Sequence, residues 1–87
     1  MSYQVRIARA AVRDLKSLHH DIIKRIDQCI VGLADNPRPP GCRKLKAQTL
    51  EAWRIRMGDY RILYTIDDDR KMVSIFRVAH RRDVYDR

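Results

Sequence analysis

Between Trp53 and Tyr64 the chain alternates apolar and cationic side chains, Trp-Arg-Ile-Arg-Met, breaks at Gly58-Asp59, and resumes with Tyr-Arg-Ile-Leu-Tyr. A period of two interrupted by a two-residue turn is the pattern of a β-hairpin. Residues two apart share one face of a strand, so Arg54 and Arg56 point the same way, and Arg61 follows just past the turn on the returning strand. Three guanidinium groups thus come within reach of one another on a rigid sheet. Like charges placed across a strand pair are destabilising. Such a cluster is either solvated charge by charge or built to meet an anion, and the hairpin alone leaves both readings open.

The rest of the chain supplies what the hairpin packs against. Tyr3, Val5 and Ile7 alternate with Gln4 and Arg6, which reads as a short half-buried strand. From Ala10 to Leu18 the period changes: Ala11, Leu15 and Leu18 line one side of an amphipathic helix. His19-His20 breaks it, and Asp21 caps or leads a second helix with the stripe Ile22, Ile26, Cys29, Ile30 and Leu33. Asn36-Pro37 ends that helix, because a residue before proline avoids the helical region. Two helices joined so tightly form an αα-hairpin. Residues 37–41, Pro-Arg-Pro-Pro-Gly, form a stiff extended connector, and residues 42–46 are expected to make a short strand. The hairpin strands are expected at 52–57 and 60–67, a turn at 67–71 and a last strand at 72–79. That last strand is apolar on both sides and should lie in the sheet interior.

A chain of 87 residues is expected to form one domain, 1–87, with a thin core and no deep pocket. Its formal charge of +8 is uneven: residues 1–36 hold six Lys/Arg and four acids, residues 37–87 thirteen and seven. The excess therefore sits with the strands and suits a polyanionic partner, above all nucleic acid. Two cysteines, Cys29 and Cys42, are too sparse for a disulfide scaffold or a zinc site. His19, His20 and His80 are read as lacking acidic or thiol companions at ligand spacing, so neither metal nor cofactor is expected. No apolar run approaches membrane-spanning length, which points to a soluble cytoplasmic protein with no membrane partner.

Taken in order, the strand, the helix pair, the Asn-Pro-Arg-Pro loop, Lys-Leu-Lys, the Gly-Asp-Tyr-Arg block and the His-Arg-Arg-Asp-Val-Tyr tail closely resemble the RelE/ParE superfamily of toxins from type II toxin–antitoxin systems, on the RelE side. The resemblance covers essentially the whole chain. It implies an α+β fold, with the N-terminal strand and αα-hairpin packed on a mostly antiparallel, twisted sheet of four or five strands. It also implies a ribosome-dependent endoribonuclease that cuts messenger RNA in the A site. The implied partners are the ribosome, its mRNA, a small DNA-binding cognate antitoxin, and operator DNA through the antitoxin complex.

By this resemblance Arg61 corresponds to the phosphate-stabilising arginine, Arg81 to the tail arginine, and Tyr85 to the tail tyrosine that stacks on a base. Arg54 and Arg56 fall where family toxins carry basic residues, often lysine. A crowded lysine can be imagined as a general base; arginine cannot play that part readily, because its pKa stays above about 12. His80 is the nearby histidine, the side-chain type suited to proton transfer in neutral solution, and so a candidate acid or base. Alternatively, the ribosome orients the RNA and the arginines supply charge alone. Lys44, Lys46, Arg77 and Arg82 are candidate RNA or ribosome contacts, with a structural ion pair equally open for Arg77. Two other functions stay in view: a ParE-like inhibitor of DNA gyrase, and a catalytically weak module that binds nucleic acid or antitoxin.

Overall fold

A computed structural model of the chain describes residues 2–45 and 51–80. Strand β1 (Gln4–Ile7) leads into helices α1 (Arg9–Lys16) and α2 (His20–Asp35). Strands β2 (Arg43–Leu45), β3 (Ala52–Met57), β4 (Tyr60–Asp67) and β5 (Met72–His80) follow. The five strands form one sheet in the order β1-β5-β4-β3-β2. Neighbours are antiparallel except β1 and β5, which run parallel. The expected α+β class, helix pair and mostly antiparallel sheet are all present. The last strand is interior, between β1 and β4.

The period-two reading of the hairpin places its side chains. Trp53, Ile55 and Met57 oppose Tyr64, Ile62 and Tyr60, and this face packs under the helices. Ile26, Ile30 and Leu33 of α2 and Ala11 of α1 meet Met57, Ile62, Tyr64, Val73, Ile75 and Val78 in one core. The buried Tyr64 hydroxyl donates to the Pro37 carbonyl at 2.8 Å. Burial, then neighbouring Cys42, pushes its pKa well above the usual phenol range. The Pro-rich connector is not extended throughout: Cys42 N–H donates to the Pro39 carbonyl at 3.1 Å and Gly41 takes φ 94°, so its end folds into a turn. The connector is held by Arg38, which stacks on the Trp53 ring at 5.1 Å and donates to both Asp68 carboxylate oxygens from its two terminal guanidinium nitrogens. Asp68 also accepts from the Tyr3 hydroxyl at 2.7 Å. Trp53 is therefore a core-edge residue whose ring face is occupied by Arg38.

Of the two roles open to Asp21, the structure has it lead helix α2. His19 is the N-cap, its Nδ1 accepting the Asp21 N–H at 3.3 Å, while Asp21 lies in the first turn. A carboxylate there favours the positive end of the helix dipole.

Strand β5 carries one residue too many for its partner. Leu63 faces Arg77 while Tyr64 faces Ile75, which leaves Phe76 as a bulge. A bulge inverts side-chain parity along the strand beyond it. Val73 and Ile75 face the helices before it, and Val78 and His80, opposite Ile62 and Tyr60, do so after it. Arg77 is thereby taken off the core face. Where β1 ends, the open edge of β5 is covered by α1: Asp14 accepts from Val78 N–H at 2.8 Å and from Arg77 Nε at 2.8 Å.

Burial pushes the Asp14 carboxyl up. The Arg77 hydrogen bond, the Val78 N–H and the charges of Arg77 and Arg13 outweigh that effect and hold its pKa below the ordinary value. A depressed carboxylate pKa contributes stability that is present above the unfolded pKa, about 4, and is lost as pH falls through the folded value. Asp14→Asn is therefore expected to lower the unfolding free energy by about 1.5–3 kcal/mol at pH 7. The difference from wild type should shrink below about pH 3. Urea midpoints at the two pH values check both statements.

Candidate functional site

The sheet face away from the helices is where the arginines collect. Arg56 sits directly opposite Arg61 in the β3–β4 ladder, and Arg43 directly opposite Arg54 in the β2–β3 ladder. Arg54 and Arg56 share a side of β3, so the four guanidinium groups form two facing pairs, one dipeptide apart. Arg54 is half-buried; burial, then the charges of Arg56, Arg61 and Arg43, push its pKa down. It nonetheless stays charged, as arginine does in proteins. None of the ion pairs among the described residues engages Arg43, Arg54 or Arg56.

Two hollows lie along this face. One, of about 80 Å³, is lined by Arg56, Gly58, Asp59 and Arg61 at the hairpin tip. The other, of about 350 Å³, is lined by Gly41, Arg43, Arg54 and Arg56. Gly58 is the first residue of the two-residue turn and takes φ 62°, a conformation glycine adopts without strain. This turn aligns Met57 with Tyr60, and hence Arg56 with Arg61.

The other candidates named from sequence distribute as follows. Arg54, Arg56 and Arg61 come together. His80 does not join them: it opposes Tyr60, its ring edge against the Tyr60 ring at 5.2 Å, on the helix side of the sheet. The Phe76 bulge is the cause, since an unbulged β5 would have turned His80 to the arginine side. His80 lines instead a hollow of about 140 Å³ between α1 and β5, with Asp14, Tyr60 and Arg77. Arg77 lies on the arginine side by register but is drawn over the β5 edge to Asp14. Lys44 opposes Trp53 and pairs with Glu51 at 3.2 Å, on the face away from the arginines. Lys46, Arg81, Arg82 and Tyr85 lie outside the described residues.

Arg43 is the member that sequence reasoning missed. Its only sequence signal is its odd spacing from the arginine-bearing positions of β3, which has meaning only once the register of a three-residue edge strand is known.

The histidine reading also needs correction. Ligand atoms of His19, His20 and Asp21 lie within 4.8 Å of one another, because an N-cap and the first helical turn bring consecutive side chains together. The trio is exposed, the His19 Nδ1 lone pair already accepts a backbone N–H, and a cation there would face the positive helix end.

Comparison with known proteins agrees with this architecture. The family of the ParE toxin of type II toxin–antitoxin systems, parDE, matches residues 5–85. The toxin RelG of Mycobacterium tuberculosis is 38% identical over 88 residues, covering 100% of both chains. Among solved structures, the toxin–antitoxin complex RelBE2 of M. tuberculosis superposes with a TM-score of 0.82 at 32% identity, covering 92% of this chain and 99% of that one. The archaeal RelE–RelB complex of Pyrococcus horikoshii also gives 0.82, at 27% identity, over 97% and 100% of the two chains. The chain is thus a toxin of a type II toxin–antitoxin system. Within that class it belongs to the RelE/ParE superfamily, and the relatives just described place it on the RelE side.

Proposed function

We propose that this toxin is a single-domain, cytoplasmic endoribonuclease that halts translation by cutting messenger RNA on the ribosome. The observation that carries the reading is the facing of Arg56 with Arg61, and of Arg43 with Arg54, on one open side of the sheet. Cross-strand like charges cost stability. A fold that stacks two such pairs side by side gains from them when an anion binds.

In the reaction proposed, the ribose 2′-oxygen attacks the adjacent phosphorus and the bond from phosphorus to the 5′-oxygen breaks. A 2′,3′-cyclic phosphate and a 5′-hydroxyl result, and the proton lost at the 2′-oxygen is balanced by one gained at the 5′-oxygen. Charge grows on the non-bridging oxygens in the transition state. Arg61 and Arg56, flanking the small hollow at the hairpin tip, suit that role, because a guanidinium fork matches phosphate oxygens two at a time. With arginine in place of lysine on β3, and His80 on the far face, the protein's share is charge stabilisation, and the ribosome aligns the 2′-hydroxyl. Arg81 adds a further cation, and Tyr85 stacks on a base, a contact worth about 1–3 kcal/mol. A cognate antitoxin would cover this face in the resting complex and carry the toxin to operator DNA. The solved relatives with RelB partners support such a companion.

Primer extension on messages in a translating extract tests the reading. Codon-phased 5′-hydroxyl ends are expected with the wild-type chain and lost with Arg81→Ala. Intact messages alongside stalled or cleaved DNA would instead favour gyrase inhibition.

A further inference from the structure

The larger hollow has no task in a reaction at one phosphodiester. Resting on the function just proposed, we infer that the hollow bounded by Gly41, Arg43, Arg54 and Arg56 is a second phosphate subsite, which holds the RNA phosphate next to the scissile one, with Arg43 as its outer binding residue.

Three observations lead there. First, Arg43–Arg54 repeats Arg56–Arg61: each is a directly opposed arginine pair across an antiparallel ladder, and the two are joined through Arg54 and Arg56 on β3. Alternate residues of a strand are about 6.6–6.8 Å apart and neighbouring strands about 4.7–4.9 Å, so the centres of the two pairs, on opposite flanks of β3, lie roughly 8 Å apart, a span that long arginine side chains can close to one nucleotide step of an extended RNA backbone. Second, the hollow at Arg43 has more than four times the volume of the one at the hairpin tip, 350 against 80 Å³. It therefore admits a phosphate with its attached sugar, where the smaller hollow suits a single phosphate. Third, Gly41 leaves its wall low: a Cβ there would meet nothing within 4 Å, but φ 94° disfavours any side chain. Backbone, and not a bulky residue, borders the ligand.

Electrostatics favours the same assignment. The Arg54 guanidinium is half-buried and feels the charges of three others. A single anion over Arg56 and Arg61 leaves Arg43 and Arg54 facing each other uncompensated. A second anion relieves that pair, so a ligand with two adjacent phosphates binds more tightly than one with a single phosphate.

Binding to the free full-length chain tests the inference apart from cleavage. The probes are a 2′-O-methyl dinucleoside monophosphate and a 2′-O-methyl trinucleoside diphosphate, neither of which can be cut by 2′-attack. With wild type, the second phosphate is expected to tighten binding about five- to tenfold at low salt. Arg43→Ala and Arg43→Gln should abolish that gain and leave the dinucleotide affinity within about twofold, while Arg43→Lys keeps part of it. The slope of log affinity against log salt for the trinucleotide should fall by about 0.7 on loss of Arg43. Arg43 is exposed on an edge strand, and matching circular dichroism and urea midpoints verify that the variants fold. Equal weakening of both ligands, weakening of neither, or no gain from the second phosphate in wild type overturns the subsite. Failure of the nuclease reading is recognised separately, as messages left intact by wild-type toxin on ribosomes.

Discussion

Arg61→Ala is expected to slow cleavage of ribosome-bound message by about 10²–10³-fold, the loss that follows removal of one preorganised donor to a developing oxyanion, about 2.7–4 kcal/mol. Arg61 projects from the middle strand of the sheet, opposite Arg56, into the hollow at the hairpin tip. Its backbone is held by a ladder on both sides, which would limit the reorganisation needed to meet the proposed phosphate. The fold should tolerate the change. Loss of the aliphatic stem costs some packing, and loss of a charge facing Arg56 returns some stability. The urea midpoint should therefore correspond to within about 1 kcal/mol of wild type. Arg61→Lys should restore part of the rate, since it keeps the charge and loses the fork. Time courses of primer-extension product, set beside urea titrations, provide the check. A variant that loses rate and stability together would assign Arg61 to the scaffold.

One residue along, the expectation reverses. Ile62 has no solvent exposure and faces Ile55 and Val78 under the helices. Ile62→Ala should destabilise the fold by about 2–5 kcal/mol, through lost transfer energy and a cavity that the close-packed layer cannot fill. Against the roughly 5–15 kcal/mol typical of a domain, that shift appears as a much lower thermal midpoint. Whatever fraction remains folded should still cleave, because the arginine face does not include Ile62. The two variants would thus separate cleavage from stability at adjacent residues of β4, as the strand's alternation leads one to expect.

That alternation is also why so much was legible in advance. The hairpin strands fall at Ala52–Met57 and Tyr60–Asp67, as their period and the Gly-Asp turn indicated. The α2 stripe buries Ile26, Ile30 and Leu33, and the helix stops at Asn36-Pro37. Arg54, Arg56 and Arg61 share a face for the same reason. What stayed hidden depends on register between distant segments. Nothing local announces that Phe76 is an extra residue, yet it decides which side His80 and Arg77 take. Nor does the Cys-Arg-Lys-Leu run say whether Arg43 or Lys44 meets the arginine face; that follows from pairing with Arg54 and Trp53. The His19-His20-Asp21 cluster is likewise a product of cap geometry.

The parallel pairing of Gln4 with Met72 joins the first and the last of the described strands across 68 residues of chain. Contacts so remote in sequence form late and slowly. In chain order the arginine hairpin precedes the strand that closes the sheet beside it, with only a short turn between Asp67 and Met72. β1 has no strand to join until Met72–His80 has been made. The cationic surface therefore acquires its rigid geometry only once Met72–His80 has been added, and a chain interrupted before it holds the same arginines on an unfinished scaffold.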